Sequence, residues 1–305
     1  MDRQHVTRER APRPGRALAF LVVTADDFGL SPGTNEGILR AHREGIVTCA
    51  ALMANMPSAH QAVRLWREQP TLELGLHFTL TAGCPVAPPE QVPTLVDRAG
   101  RFRPLPSLLA RLALGRVAPS EVERELRAQL ARAERLGATL AFLNGHHHVH
   151  AHPLVLPSVL RVARERGLAV RSPWEPFREA LASHGPRPRA AITLARLWGV
   201  RWLVRGARLA MSSRGVATTE HFRGLALGLG FDTRRLVALL DRLPGGTTEL
   251  MCHPGVPDDE ARRYTGFVAG RLAELEALTH PSVRQRLVAA GVALVGFRWL
   301  SDRGG

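Results

Sequence analysis

The sequence predicts an α/β fold built on a parallel sheet that closes into a barrel. Apolar runs of strand length alternate with segments of helical periodicity along the chain. This alternation is typical of parallel strands joined by right-handed helical crossovers. Roughly six or seven such units within about 285 residues suit a barrel better than an open sheet, so we expect an irregular, TIM-barrel-like (β/α) barrel with a helical insertion.

The chain shows neither an internal repeat nor a clear linker, which favours a single domain. We expect this domain to span residues 17–300, with the insertion at about 177–215. The charged, proline-containing residues 1–16 are predicted to form a disordered basic leader.

The strands are predicted from apolar runs that end at polar or turn-forming residues. The first run, ALAFLVV, contains no polar residue, as expected for a strand that is buried on both faces. In chain order, the predicted strands cover residues 17–23, 46–53, 72–80, 138–143, 168–172, 247–253 and 292–297.

The helices are predicted from their periodicity and their capping residues. Ser31 and Pro32 suit the N-cap and the first helical position, and Gly45 ends that helix. Ser120 and Glu123 form a capping-box pattern for a helix that runs to residue 136. Further helices are predicted over residues 58–69, 153–166 and parts of 259–290, whereas 81–118 is expected to be an extended loop with a short helix.

Composition limits the class of protein and the cellular compartment that the sequence suits. Hydrophobic residues make up 45% of the 305 residues, which is enough for a substantial core. The three cysteines stand far apart and form no disulfide framework, so we expect a reducing, cytoplasmic compartment. No apolar run reaches the roughly 18–20 residues that a membrane span needs.

The formal net charge of +14 raises the question of a nucleic-acid partner. The chain contains no lysine, so all 41 basic residues are arginine, and it contains one tyrosine. Exclusive use of arginine without interleaved aromatic residues favours a codon bias over phosphate binding, and we expect no nucleic acid. A peripheral membrane contact or an anionic substrate stays open, and the sequence does not indicate an oligomeric state.

Polar clusters lie at the carboxyl ends of four of the predicted strands. They are Asp26-Asp27, His77, the run NGHHHVHAH at 144–152, and Cys252-His253-Pro254. Active sites of parallel α/β folds lie at the carboxyl ends of the strands. Each cluster alone is a modest signal, and their repetition at one edge is the stronger one.

Asp26 and Asp27 have an ordinary interpretation as a turn, but Ser31 already supplies a helix cap. Two adjacent buried carboxylates repel each other, and a bound cation would relieve the repulsion. One carboxylate could then bind the ion while the other stays free as a base.

The histidines point to a metal ion as well. Five of the thirteen histidines lie within residues 144–152, directly after a buried strand, which excludes a terminal tag. A surface tract that binds metal adventitiously is the alternative. A lone histidine such as His77 is more often a satisfied polar residue, and Cys-His-Pro after a strand is usually turn structure.

One carboxylate and two histidines from separate strands would leave coordination positions open, which is a catalytic arrangement. The ion would polarise an amide carbonyl and lower the pKa of water. Asp26 could then take the proton of the water, and His253 could protonate the leaving amine.

The segments TADDFGLSPGTNEGI, GLHFTLT, GHHHVH and ELMCHP occur in this order. Together they resemble the YdjC-like carbohydrate deacetylases, which include the chitooligosaccharide deacetylases. The resemblance covers residues 18–297 and is weakest over 177–215. It implies an irregular β/α barrel, a divalent ion (commonly Mg²⁺, with Zn²⁺ as the alternative) and hydrolysis of an N-acetyl group on glucosamine. By motif, the ligands fall on Asp27, His77 and His146, the free base on Asp26, and the late histidine on His253.

Two departures bear on the substrate. Chitooligosaccharide members usually have aspartate at the position of Asn144 and serine at Gly145, so the neutral amide changes the surroundings of the ion. The asparagine and the basic insertion are more similar to a hopanoid-biosynthesis branch, whose substrate is N-acetylglucosamine on a lipid. An ordinary barrel-covering helix is the simpler explanation of the insertion. Asn144, His148 and His150 are expected to orient the ligands or to contact substrate.

Two other classes of function fit the same residues. One is a different metal-dependent hydrolase, such as a phosphoesterase, which would direct arginines at the mouth of the site. The other is a non-enzymatic module that binds metal or membrane.

Overall fold

The computed structural model describes residues 18–176, 204 and 206–301. The predicted leader at 1–16 and most of the predicted insertion at 177–215 lie outside these residues.

The described residues form a parallel sheet with helices packed around it. Seven strands follow the order β5-β4-β3-β2-β1-β7-β6, and β8 also pairs with β1. The pairings are all parallel, which confirms the predicted fold class. The strands are β1 Ala19–Phe28, β2 Cys49–Leu52, β3 Glu73–Phe78, β4 Leu140–Gly145, β5 Ala169–Val170, β6 His221–Arg223, β7 Gly246–Cys252 and β8 Val292–Leu294.

Strand β1 organises the barrel because both of its edges are used along its length. One edge pairs with β7, and the other pairs first with β8 and then with β2. On the far side, the Val170 N–H donates to the Ala217 carbonyl, which links β5 to the segment that leads into β6. The carboxyl ends of the strands therefore gather around one opening.

The interior of β1 matches its apolar sequence. Leu21, Val22 and Val23 are fully buried, as predicted for a strand covered on both faces. Strand β6 was not predicted, because its three residues include two polar ones and show no apolar periodicity.

The helices follow the predicted pattern with one correction at a cap. Ser31 caps the first helix, since its side chain accepts the Thr34 N–H. The capping box at Ser120 and Glu123 is wrong, because the helix begins at Pro119 and Glu123 instead pairs with arginines. The helices are α1 Pro32–Arg43, α2 Ala59–Trp66, α3 Leu105–Ala113, α4 Pro119–Arg135, α5 Leu156–Arg166, α6 Ala207–Ser212, α7 Thr233–Leu240, α8 Asp259–Arg262, α9 Ala269–Thr279, α10 Pro281–Ala290 and α11 Arg298–Ser301.

A close glycine contact fixes the loop that follows β7. A Cβ atom on Gly37 of α1 would lie 2.3 Å from the Cα of Gly255, so the helix can approach this loop only because position 37 has no side chain. Within the described ranges, no helix combines the length and the apolar character that crossing a membrane requires.

Candidate metal and catalytic site

The structure brings the predicted site residues to one edge of the sheet. Asp26 and Asp27 lie near the end of β1, and His77 lies near the end of β3. His146 directly follows β4, and His253 directly follows β7. Their side chains converge at the carboxyl ends of the parallel strands.

Asp27, His77 and His146 form a compact group of donor atoms. One ligand atom from each residue lies within 4.8 Å of the other two. The Oδ1 atom of Asp27 lies 3.3 Å from Nε2 of His77 and 3.1 Å from Nδ1 of His146. Asp27 has a φ angle of 68°, a conformation that non-glycine residues rarely adopt and that turns its carboxylate toward the histidines.

Asn144 sets the tautomer of His77. Its Nδ2 group donates to Oδ1 of Asp26 at 2.9 Å, so its Oδ1 faces Nδ1 of His77 at 2.6 Å. The His77 Nδ1–H must then donate to this oxygen, which leaves the lone pair of Nε2 directed at Asp27. Metal-binding histidines are held in this way, so the donor set fits a divalent ion.

Asp26 is held apart from this group by Arg171. The Arg171 guanidinium donates to both carboxylate oxygens of Asp26, with an Nη2–Oδ1 distance of 2.9 Å. Burial opposes ionisation, but the Arg171 guanidinium holds the pKa of Asp26 below its usual range. The carboxylate of Asp26 is therefore charged and fixed in orientation.

A second acid shares the same arginine. The Nε atom of Arg171 donates to Oε1 of Glu249 at 2.9 Å, and the hydroxyl of Thr24 donates to that oxygen at 2.7 Å. Burial raises the pKa of Glu249 despite the neighbouring guanidinium. Arg171 and Glu249 have no exposed surface, so this network lies wholly beneath the site.

Arg271 pairs with Asp27 as Arg171 pairs with Asp26. Its Nη2 group donates to Oδ2 of Asp27, and its Nε group donates to the Phe267 carbonyl at 2.9 Å. Burial opposes the effect, but the guanidinium holds the pKa of Asp27 below its usual range. Arg171 and Arg271 thus already compensate part of the repulsion between the two aspartates that a bound cation was expected to relieve.

His253 directly follows β7 and contacts the α9 helix through Glu274. Its backbone N–H donates to Oε2 of Glu274 at 2.6 Å, and its ring meets the Phe267 ring edge-on at 6.0 Å. Burial lowers the pKa of His253 to about 4, and burial raises the pKa of Glu274 to about 7. The imidazole of His253 is therefore neutral at pH 7 in the unliganded protein.

The other histidines of the run at 144–152 have separate positions. His150 is fully buried, and its Nε2–H donates to the Arg171 carbonyl at 3.0 Å. This hydrogen bond links the histidine run to the backbone of Arg171. His148 is half-buried, with its ring edge-on to Phe222 at 5.9 Å.

Sequence reasoning missed Arg171, Arg271, Glu249 and Glu274. Arg171 lay near the end of a predicted strand, as the other site residues do, and Glu249 was a charged residue inside a predicted strand, so two signals were present. Arg271 and Glu274 lie on α9 with ordinary helical spacing, and nothing local distinguishes them from surface residues.

The fold and this site define a class: a parallel β/α barrel with an Asp-His-His group that could hold a metal ion and a separate carboxylate, at the carboxyl ends of its strands. The family model described as YdjC-like protein matches residues 20–289. The chain belongs to the YdjC-like family, as the motifs predicted.

Relatives cover almost the whole chain. A carbohydrate deacetylase of Brevibacillus brevis is 36% identical over 278 residues, which are 91% of this chain and 98% of that protein. A carbohydrate deacetylase of Geobacillus stearothermophilus is 35% identical and covers 92% of this chain and 97% of its own. A solved structure from Enterococcus faecalis, described as a cellobiose-phosphate cleavage protein, is 26% identical with a TM-score of 0.73, covering 93% of this chain and 99% of its own.

Proposed function

We propose that the protein is a metal-dependent carbohydrate deacetylase that hydrolyses the N-acetyl group of an N-acetylglucosamine-containing substrate. The observation that carries the proposal is the group formed by Asp27, His77 and His146, with the charged carboxylate of Asp26 fixed beside it. The names of the relatives support the reaction class.

Asp27, His77 and His146 would hold the ion. Mg²⁺ is our first candidate from the family resemblance, and Zn²⁺ is the alternative, because imidazole ligands suit zinc well. When bound, a divalent ion supplies a positive charge that polarises the acetyl carbonyl and acidifies the attacking water.

Asp26 is our candidate general base. It lies next to a proposed ligand, yet Arg171 and Asn144 hold its carboxylate away from the donor atoms of the ion site. A fixed carboxylate can take a proton from water without a change of position, which favours this role.

His253 is our candidate general acid. Because its imidazole is neutral at pH 7, it must take up a proton in the course of the reaction before it donates to the leaving amine. Glu274 and Phe267 fix the backbone and ring of His253, so the donor stays in one orientation.

Replacement of His253 by alanine is expected to slow hydrolysis of the amide far more than hydrolysis of an activated acetyl ester, because the ester leaving group needs no proton. The comparison of kcat for an N-acetylglucosamine oligomer and for 4-nitrophenyl acetate tests this. Equal losses on the two substrates would count against the acid role and favour a positioning role.

The reaction itself is tested by mass spectrometry of products. Metal-free protein is incubated with N-acetylglucosamine oligomers and with a glycosylated hopanoid, each in the presence of Mg²⁺, Zn²⁺ or chelator. We expect a mass loss of one acetyl group that depends on the ion. Loss of acetyl groups at the same rate in chelator would remove the metal from the proposal, and no loss with any ion would remove the deacetylase.

A phosphoesterase is the alternative hydrolase, and the arginines bear on it. Such an enzyme needs guanidinium groups that are free to bind phosphate. Arg171 and Arg271 are both buried and each pairs with an aspartate, although Nη1 of Arg271 makes no hydrogen bond to a described residue. These pairings favour the deacetylase.

The segment 177–215 is proposed to bring the site to a lipid-borne sugar. Its residues 177–203 and 205 lie outside the described ones, and on α6 Leu209 is 77% exposed. Apolar and arginine residues alternate in it at near-helical spacing, as in helices that lie at anionic bilayers. The positions concerned are Leu194, Leu197, Trp198, Val200, Trp202 and Leu203, with Arg196, Arg201, Arg205 and Arg208.

Co-sedimentation with anionic liposomes is therefore expected, and it should weaken as salt rises, because part of the attraction is screened charge. Replacement of Trp198 and Trp202 by alanine should reduce binding while sparing activity on a soluble oligomer. If the native protein does not bind liposomes at low salt, a soluble chitooligosaccharide becomes the better substrate.

A further inference from the structure

We infer that His147 is a substrate-binding residue that hydrogen-bonds a hydroxyl of the acetylated sugar and so selects a sugar over a simple acetyl compound. The inference rests on the proposed deacetylase function and adds a residue that sets its specificity. It comes from the exposure, the contacts and the backbone of His147.

His147 has the most exposed ring of the five histidines in the run. The other four are buried or half-buried, whereas His147 is exposed. Its ring centroid lies 3.9 Å from that of His146, the proposed ligand. His147 therefore lies at the mouth of the site, in direct contact with the ion-binding group.

A hydrogen bond fixes the orientation of this ring. Nδ1 of His147 lies 2.9 Å from the hydroxyl oxygen of Thr81. Thr81 belongs to the loop after β3, and His147 belongs to the turn after β4. The hydrogen bond between them therefore links the segments that follow these two neighbouring strands. The hydrogen bond therefore holds the His147 ring beside His146, one of the two proposed histidine ligands.

The second ring nitrogen of His147 is uncommitted. Within the described part of the chain, Nε2 makes no hydrogen bond, while Nδ1 is occupied by Thr81. If Thr81 donates to Nδ1, then Nε2 carries the proton and donates; if Nδ1 donates, then Nε2 accepts. A sugar hydroxyl both donates and accepts, so it can pair with either tautomer.

The backbone at this position is unfavourable for a histidine. His147 and His148 have φ angles of 54° and 57°, in the left-handed region that glycine and asparagine adopt most easily. A glycine or an asparagine would satisfy the turn at lower cost, so the turn alone does not account for histidine at position 147. Unfavourable backbone of this kind persists where the side chain has a function.

The test uses variants that suit the backbone. His147→Gly and His147→Asn both tolerate the left-handed conformation, so they remove the imidazole without adding strain. His152→Asn is the matched control, because His152 lies in the same run and only caps the Leu154 N–H. KM and kcat are measured on an N-acetylglucosamine oligomer and on 4-nitrophenyl acetate, which has no sugar hydroxyl, and affinity for Mg²⁺ and Zn²⁺ is measured by calorimetry.

We expect both His147 variants to raise KM for the oligomer by about tenfold, the loss typical of one hydrogen bond. Hydrolysis of 4-nitrophenyl acetate and metal affinity should stay within about twofold of the native values. Thr81→Val, which frees the ring without removing it, should raise KM for the oligomer by a smaller factor.

Three results would overturn the inference. An unchanged KM for the oligomer in both His147 variants would leave the turn with a structural role only. A fall in metal affinity, or an equal loss on both substrates, would make His147 a support for His146 and not a substrate contact. Failure of the native protein to release acetate from any oligomer would instead remove the proposed deacetylase function, so the two failures are distinguishable.

Discussion

Replacement of Asp26 by asparagine is expected to lower kcat by roughly 10²–10⁴-fold, the range for loss of a general base. Metal affinity should stay nearly unchanged, because Arg171 and Asn144 hold Asp26 away from the donor group. Activity assays on an N-acetylglucosamine oligomer, paired with calorimetry of metal binding, measure the two quantities separately.

The buried network makes this substitution a fair test. Removal of the charge of Asp26 leaves Arg171 paired with Glu249, so the guanidinium does not become an uncompensated buried charge. Asparagine also keeps an oxygen that can accept from Arg171. The thermal midpoint is therefore expected to change little, and Glu249→Gln serves as a matched control within the same network. If Asp26→Asn lost the metal while Asp27→Asn kept it, the roles of the two aspartates would be exchanged.

Replacement of His146 by alanine should lower metal affinity by at least roughly 100-fold, because groups that only orient ligands already contribute 10–100-fold. The His146 side chain is 16% exposed and lies at the edge of the sheet and not in the hydrophobic core, so folding should survive its truncation. Calorimetric titration of the metal-free protein gives the affinity, and His152→Ala is the control from the same histidine run. Native affinity in His146→Ala would exclude His146 as a ligand.

The parts of the fold that could be predicted are those with a local signature. The buried run in β1 and the Ser31 cap of α1 depend on residues that are adjacent in the sequence, and both are found where they were predicted. The capping box failed because Pro119 can begin a helix without a side-chain cap, and Glu123 found arginines on its own helix and on α5. Strand β6 is held by its pairing with β7 and not by its own sequence.

The candidate site divides in the same way. Asp26, Asp27, His77 and His146 were identifiable because each stands at the end of an apolar run in a parallel fold. The arginines of the site could not be identified from the sequence. Arg171 lies 145 positions from its partner Asp26, and Arg271 lies 244 positions from its partner Asp27. A single sequence contains no pairing information over such distances. The charge balance of the site is therefore a tertiary property.

The position of β1 has a consequence for folding during synthesis of the protein. This strand is made first among those described, yet its partners β7 and β8 are made last. While the ribosome is still translating, β1 can pair only with β2, and the edge of β1 that later pairs with β7 stays open for most of synthesis. Contacts so distant in sequence form slowly, and open apolar strands are prone to association. Nascent chains that stall before residue 246 should therefore depend on chaperones to shield β1. They should also bind no metal tightly, because Arg271, which pairs with Asp27, has not yet been synthesised.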